Sequence, residues 1–253
     1  MKLLAKILST LGFAVALAAG AQPVTTLRTA AQDGSAPKFI TSDGPATGLC
    51  PDIFQAMERA DRNLRVDIDP RPTPLKRLEA ELKDGQLDVV CALLDTPLRN
   101  DIAHRISTPL YVLNERLVGR RDDNGVVTHL RDLAQTGDLV VTQSGASYAA
   151  DLRSQGVQVT ETPGGSVVAL RNVQSRRARF YYTNDLTGAY YIKALGLGDQ
   201  LRLHPGVLQS SPSYLWVSRK VDPAVVRRID QAVAQLQRSG ELDRIYQRYQ
   251  KDR

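Results

Sequence analysis

The chain has 253 residues, 42% of them hydrophobic and 24% charged, with no low-complexity stretch. That composition suits a globular protein of one large domain or two modest ones and excludes disordered, collagen-like and coiled-coil classes. Its net charge of +6 is a mild excess, two of the cations are Lys2 and Lys6 at the extreme N-terminus, and the rest are scattered (Arg176/Arg177, Arg227/Arg228). A nucleic-acid partner is therefore not expected.

The first 21 residues read as a secretory signal peptide. Two lysines precede a short apolar run over residues 7–19, and Ala19-Gly20-Ala21 supplies an A-x-A-like cleavage site before Gln22. The run is too short for a membrane anchor and no cysteine follows the site to take a lipid. A protein exported to a bacterial periplasm is expected. In an oxidising compartment the two cysteines, Cys50 and Cys91, are candidates for a disulfide; each has apolar neighbours, so two buried thiols are the other reading.

Beyond the leader, strand-like and helix-like runs alternate. TTLRTAA reads as a strand and CPDIFQAMERADR as a helix with Pro51 in its first turn. LRVDID is a strand, and PLKRLEAELKDG places Leu75, Leu78 and Leu82 on one helical face, with Gly85 as the stop. LDVVCALL is a buried strand. In TPLRNDIA, Thr96 is an N-cap and Pro97 the first helical residue, so Arg99 falls in the first turn of a short helix. Strand patterns ERLVGR, DLVVTQ, VQVTET, ARFYYT and YLWVSR follow with helical stretches between, and a long helix broken at Gly240 closes the chain. Strands spaced by helices predict a doubly wound α/β architecture, in which ligands sit beyond the carboxyl ends of strands. Residues 32–36, 94–99, 143–148 and 183–187 occupy such positions.

Four segments in order resemble the periplasmic solute-binding proteins of family 3, the amino-acid receptors of ABC importers. They are DGPATGLCPDIFQAM, LEAELKDGQLDVV, DTPLRNDIAHRISTPLY and VSRKVDPAVVRRIDQAVAQLQRSGELDRIYQRY. The resemblance covers essentially the whole chain after the leader. It implies a type II periplasmic-binding-protein fold, with two doubly wound lobes joined by two hinge crossings. Residues 22–112 plus 214–253 would form the first lobe and 113–213 the second, with crossings near 111–117 and 209–214. A small polar solute, an amino acid or related carboxylate, would be held between the lobes by a monomer and delivered to an ABC permease.

Residue by residue, the resemblance puts Arg99 on the arginine that clamps the ligand α-carboxylate, a task its fork of donors suits. Ala146 and Ser147 fall in a turn that offers backbone N–H groups to the same anion, and Asp185 falls on the aspartate that takes the ligand ammonium. Thr96, Asp33, Arg77 and Asn184 are the other candidate contacts. Leu94 stands where amino-acid binders carry a hydroxyl residue. QDGSAPKF lacks the aromatic that covers ligand in the first loop, and Leu49 and Cys50 replace an aromatic and an acid. Plainer readings stand beside these: Asp185 as a helix cap, Arg77 as a solvated cation, and the tyrosines at 181, 182, 190 and 191 as packing.

No cofactor or metal is expected, since His104, His129 and His204 are far apart and in no motif. Two other readings keep the scaffold. The protein could serve a membrane sensor or accompany a periplasmic oxidoreductase; or it could be a lyase-like enzyme using Asp33 and Asp185 as an acid/base pair.

Overall fold

A computed structural model describes residues 23–41 and 44–251. The signal peptide expected over residues 1–21 lies outside them. Among the described residues no helix is long and apolar enough to cross a membrane.

Strand β1 (Thr25–Gln32) pairs in parallel with β2 (Leu64–Thr73) across helix α1 (Leu49–Ala60). Helix α2 (Leu75–Asp84) buries Leu75, Leu78 and Leu82 and ends at Gly85, whose φ of 74° makes the left-handed stop that a Cβ would disfavour. Strand β3 (Val89–Leu94) is buried along most of its length, as a strand covered on both faces must be. Helix α3 (Pro97–Ile102) starts where Thr96 Oγ1 accepts the Arg99 N–H at 3.3 Å. The short strand β4 (Ala103–Arg105) then leads to the long strand β5 (Tyr111–Arg120).

The middle of the chain adds α4 (Leu130–Thr136), β6 (Val140–Gln143), α5 (Tyr148–Ser154), β7 (Val159–Thr162), α6 (Gly165–Gln174), β8 (Phe180–Asn184), α7 (Asp185–Ala194) and β9 (Leu201–Leu203). Strand β10 (Gln209–Ser218) returns the chain, and α8 (Pro223–Arg238) and α9 (Glu241–Lys251) close it. The larger sheet runs β3-β10-β5-β8-β6-β7, with β4 beside β10 and β9 beside β5. It is mixed rather than parallel throughout. Residues 111–115 of β5 pair antiparallel with 209–213 of β10, because the chain passes outward along one and back along the other. The parallel pairs that alternation predicts are β1–β2, β6–β7 and β6–β8.

The cores follow this division. One pair of apolar clusters draws on residues 27–113 and 214–249, another on residues 117–208. Leu186 of α7 is the exception, packing into the first group's core from the second. Cys50 and Cys91 form a disulfide with Cα atoms 6.1 Å apart, tying α1 to β3.

Candidate functional site

A cavity of about 90 Å³ lies where the two groups of elements meet. One wall comes from the loop after β1, from β3 and from α3; the other from the ends of β6 and β8 and the starts of α5 and α7. The walls are in contact around it. Gln143 Nε2 donates to Asp33 O (3.1 Å), and Ser166 Oγ donates to Gly34 O (3.2 Å) while lying 2.9 Å from the Tyr181 hydroxyl. A Cβ on Gly34 would meet Gln143 Nε2 at 3.0 Å and Gly165 Cα at 3.3 Å, so its bare backbone is what permits the approach. A larger, more open cleft of about 930 Å³ lies on the far side of Arg99.

Arg99 is only 4% exposed and lines both spaces. Its Nε donates to Glu79 Oε1 at 2.8 Å and its Nη1 to Leu94 O at 2.7 Å. Two of five guanidinium protons are thereby committed, and Nη2 has no partner among the described residues. The pair with Glu79 holds the side chain in place and prevents an uncompensated buried cation. Leu94 forms wall in both spaces and lends Arg99 its carbonyl. Thr96 lines the open cleft as the α3 cap.

Ala146 and Ser147 line the smaller cavity with Asn184. Within the turn, however, Gly145 N–H donates to Glu161 Oε2 (3.1 Å) and Ala146 N–H to Gln143 O (3.2 Å). Two of the turn's amides are therefore spent on its own architecture. Asn184 caps α7, its Oδ1 accepting Thr187 N–H at 2.9 Å. Asp185 is 1% exposed but is not a lining residue. Its carboxylate accepts the Leu186 N–H at 2.9 Å and the Asn114 amide at 3.2 Å. Asp33 lends the interlobe contact its backbone carbonyl and is also absent from the lining, so the two aspartates are not gathered at one wall. Arg77 is exposed and pairs with Glu81 one helical turn on (2.7 Å), while its neighbour Leu78 is buried.

Lys38, which sequence reasoning missed, lines the same cavity. Helix α1 fixes its backbone: Leu49 N–H donates to Pro37 O and Cys50 N–H to Lys38 O, both at 3.0 Å, so unpaired amides of the helix start are satisfied by this loop. Its Nζ donates to Gln32 Oε1 and to Ala92 O, the latter at 3.1 Å. Some of the residue's surface remains accessible, yet its ammonium is desolvated. Desolvation first and Arg99 second bring its pKa down to about 7. Ala92 has φ of 55°, at a point where the register of β3 against β10 shifts as in a bulge. A residue with a Cβ adopts that conformation at a cost of about 1–2 kcal/mol. The only sequence cue to Lys38 was its place in QDGSAPKF, and nothing local says that the side chain turns inward.

At the crossing of β5 and β10, Glu115 is 2% exposed and accepts the Tyr182 hydroxyl at 2.5 Å and Ser211 Oγ at 3.2 Å. Burial raises its pKa. Among the described residues no cluster of His, Cys, Asp or Glu has the arrangement of a metal site.

Comparison with known families matches residues 27–252 to the bacterial extracellular solute-binding proteins, family 3. The chain belongs to that family. No curated protein sequence matches it. Solved structures share its fold at low identity. An ancestral arginine-binding protein bound to arginine is 20% identical (TM-score 0.74, covering 88% of this chain and 97% of that one). A binding component of an ABC transporter from Wolinella succinogenes, complexed with lysine, is 20% identical (TM-score 0.74, 88% and 94%). A histidine kinase sensor domain is 19% identical (TM-score 0.74, 89% and 96%). These neighbours are two-lobed periplasmic binding proteins of type II, and the family 3 solute-binding protein described here has the same architecture.

Proposed function

We propose that this family 3 protein is a periplasmic receptor that closes its two lobes over a small carboxylate-bearing solute and delivers it to an ABC importer. The observation that carries the reading is the cavity shared between the two groups of elements, with a buried arginine presenting free donors to it. A guanidinium held by Glu79 and Leu94 O is pre-aimed, so a carboxylate meets an ordered donor and little side-chain entropy is lost on binding. The lobes are residues 22–112 plus 214–253 and 113–213, and the antiparallel strands β5 and β10 are their hinge. Ligand favours the closed form only through its extra contacts there, which lets a membrane partner tell loaded from empty protein.

The test is calorimetry and thermal shift across amino acids, opines, hydroxy acids, dicarboxylates and polyamines. A ligand at a hundred times its dissociation constant adds about 2.7 kcal/mol, a rise of roughly 5–10 °C for a chain this size. Arg99→Ala combined with Glu79→Gln, which avoids stranding a buried carboxylate, is expected to abolish the response. Full affinity in that variant would refute the role given to Arg99.

A further inference from the structure

The charge on the cavity wall is one-sided. Lys38 and Arg99 reach it from the first group of elements, while the polar lining opposite is neutral, as at Thr142, Gln143, Ser147, Tyr148, Thr183 and Asn184. No carboxylate belongs to the wall among the described residues. Three acids lie close behind, and each has partners there: Glu79 on Arg99 Nε, Asp185 on Leu186 N–H and Asn114, and Glu115 on the Tyr182 and Ser211 hydroxyls.

Lys38 is held as a donor with capacity to spare. An ammonium carries three protons; two go to Gln32 Oε1 and Ala92 O, and the third has no acceptor among the described residues. Arg99 is in the same position through Nη2. Two like charges facing one small space repel each other, and an anion between them relieves the repulsion and fills both donor sets. A ligand ammonium would add a third positive charge and find only neutral acceptors on the wall.

We propose that Lys38 is a second anion contact beside Arg99, and that the ligand is a small organic acid with a neutral group where an amino acid carries its ammonium. This deepens the receptor reading and rests on it. The probes that separate the two are matched pairs on one carbon skeleton: lactate and alanine, malate and aspartate, 2-hydroxyglutarate and glutamate. Calorimetry on the purified protein is expected to show the hydroxy acid of at least one pair binding tenfold or more tighter than its amino partner. Lys38→Met, which keeps an unbranched stem and removes the ammonium, should weaken that hydroxy acid at least tenfold and narrow the gap. An amino acid that binds as tightly as its hydroxy partner overturns the proposal and leaves the receptor standing. Unchanged hydroxy-acid affinity in folded Lys38→Met overturns the part given to Lys38. Should that variant not melt cooperatively, the paired comparison on the unaltered protein still decides the ligand class. No binding by any of the six compounds to cooperatively melting protein overturns the hydroxy-acid proposal, while the receptor reading falls only if the wider screen also gives no ligand.

Discussion

Lys38 and Arg99 illustrate how differently two cations in one cavity can be tuned. Arg99 is paired with the Glu79 carboxylate at 2.8 Å. Lys38 has no carboxylate among its hydrogen-bond partners; the charged group facing it is Arg99, and the tyrosines at 111, 148 and 181 share its cavity with hydroxyl pKa values raised by burial. With its folded pKa at about 7 and an unfolded value near 10.5, the unfolded chain holds the extra proton between those limits. Stability from this group therefore rises with pH through that window. Anion binding does the opposite, since it favours the charged form. Affinity for an organic acid should fall by up to about tenfold per pH unit above 7, and proton uptake should accompany binding there. Calorimetry in two buffers of different ionisation enthalpy measures that uptake; Lys38→Met should show none. Equal uptake in the variant would assign the proton to another group.

At the scale of elements, much of the scaffold was legible because local rules agree with the packing. The 75/78/82 spacing, Gly85 as a stop and Thr96 before Pro97 each describe α2 and α3 as they stand. The site was less legible for a physical reason. Whether a side chain enters a cavity depends on what its neighbours bond across the fold, and those partners are distant in sequence. Asp185, which the resemblance makes a ligand contact, begins α7, and the Leu186 amide and Asn114 hold its carboxylate. Ala146 lies in the expected turn while its amide is taken by Gln143 O. Lys38 depends on Ala92, 54 residues away, and on a local backbone strain that no pattern announces. The disulfide between α1 and β3 belongs at this scale as well. It closes a loop spanning 41 positions, and the chain-entropy estimate for that length is about 4 kcal/mol. Cys50→Ser with Cys91→Ser should lower stability by about 2–4 kcal/mol in denaturant unfolding; a loss under 1 kcal/mol would mean that packing alone holds the two elements.

For the whole molecule, the two groups of elements meet where side chains and backbone of the second reach the bare backbone of Gly34. Gly34 meets Gln143 and Gly165 so closely that even one methyl group intrudes, and φ of 62° adds strain for any residue with a Cβ. Gly34→Val is expected to favour the open arrangement. Stability without ligand should fall by about 1–2 kcal/mol from the left-handed backbone alone, ligand affinity should drop at least tenfold beyond that, and small-angle scattering with ligand should show a larger radius of gyration than for the unaltered protein. Equal radii would locate the closing contact elsewhere. The Glu115 carboxyl, held by the Tyr182 and Ser211 hydroxyls, lies between β5 and β10 where the chain passes from one group of elements to the other.

Lys38 is gripped at two points that flank the two cysteines: its carbonyl by the Cys50 amide, and its ammonium by the carbonyl of Ala92, next to Cys91. The disulfide is thus a clasp around the very residue proposed to choose the ligand. A newly made chain, still reduced, carries every residue of the cavity but lacks the fastening between those two grips. Discrimination between a hydroxy acid and its amino analogue would then be acquired on oxidation. The same double serine variant should bind both members of a pair with more nearly equal affinity. The molecule would learn to tell its ligands apart only on reaching a compartment where thiols are oxidised.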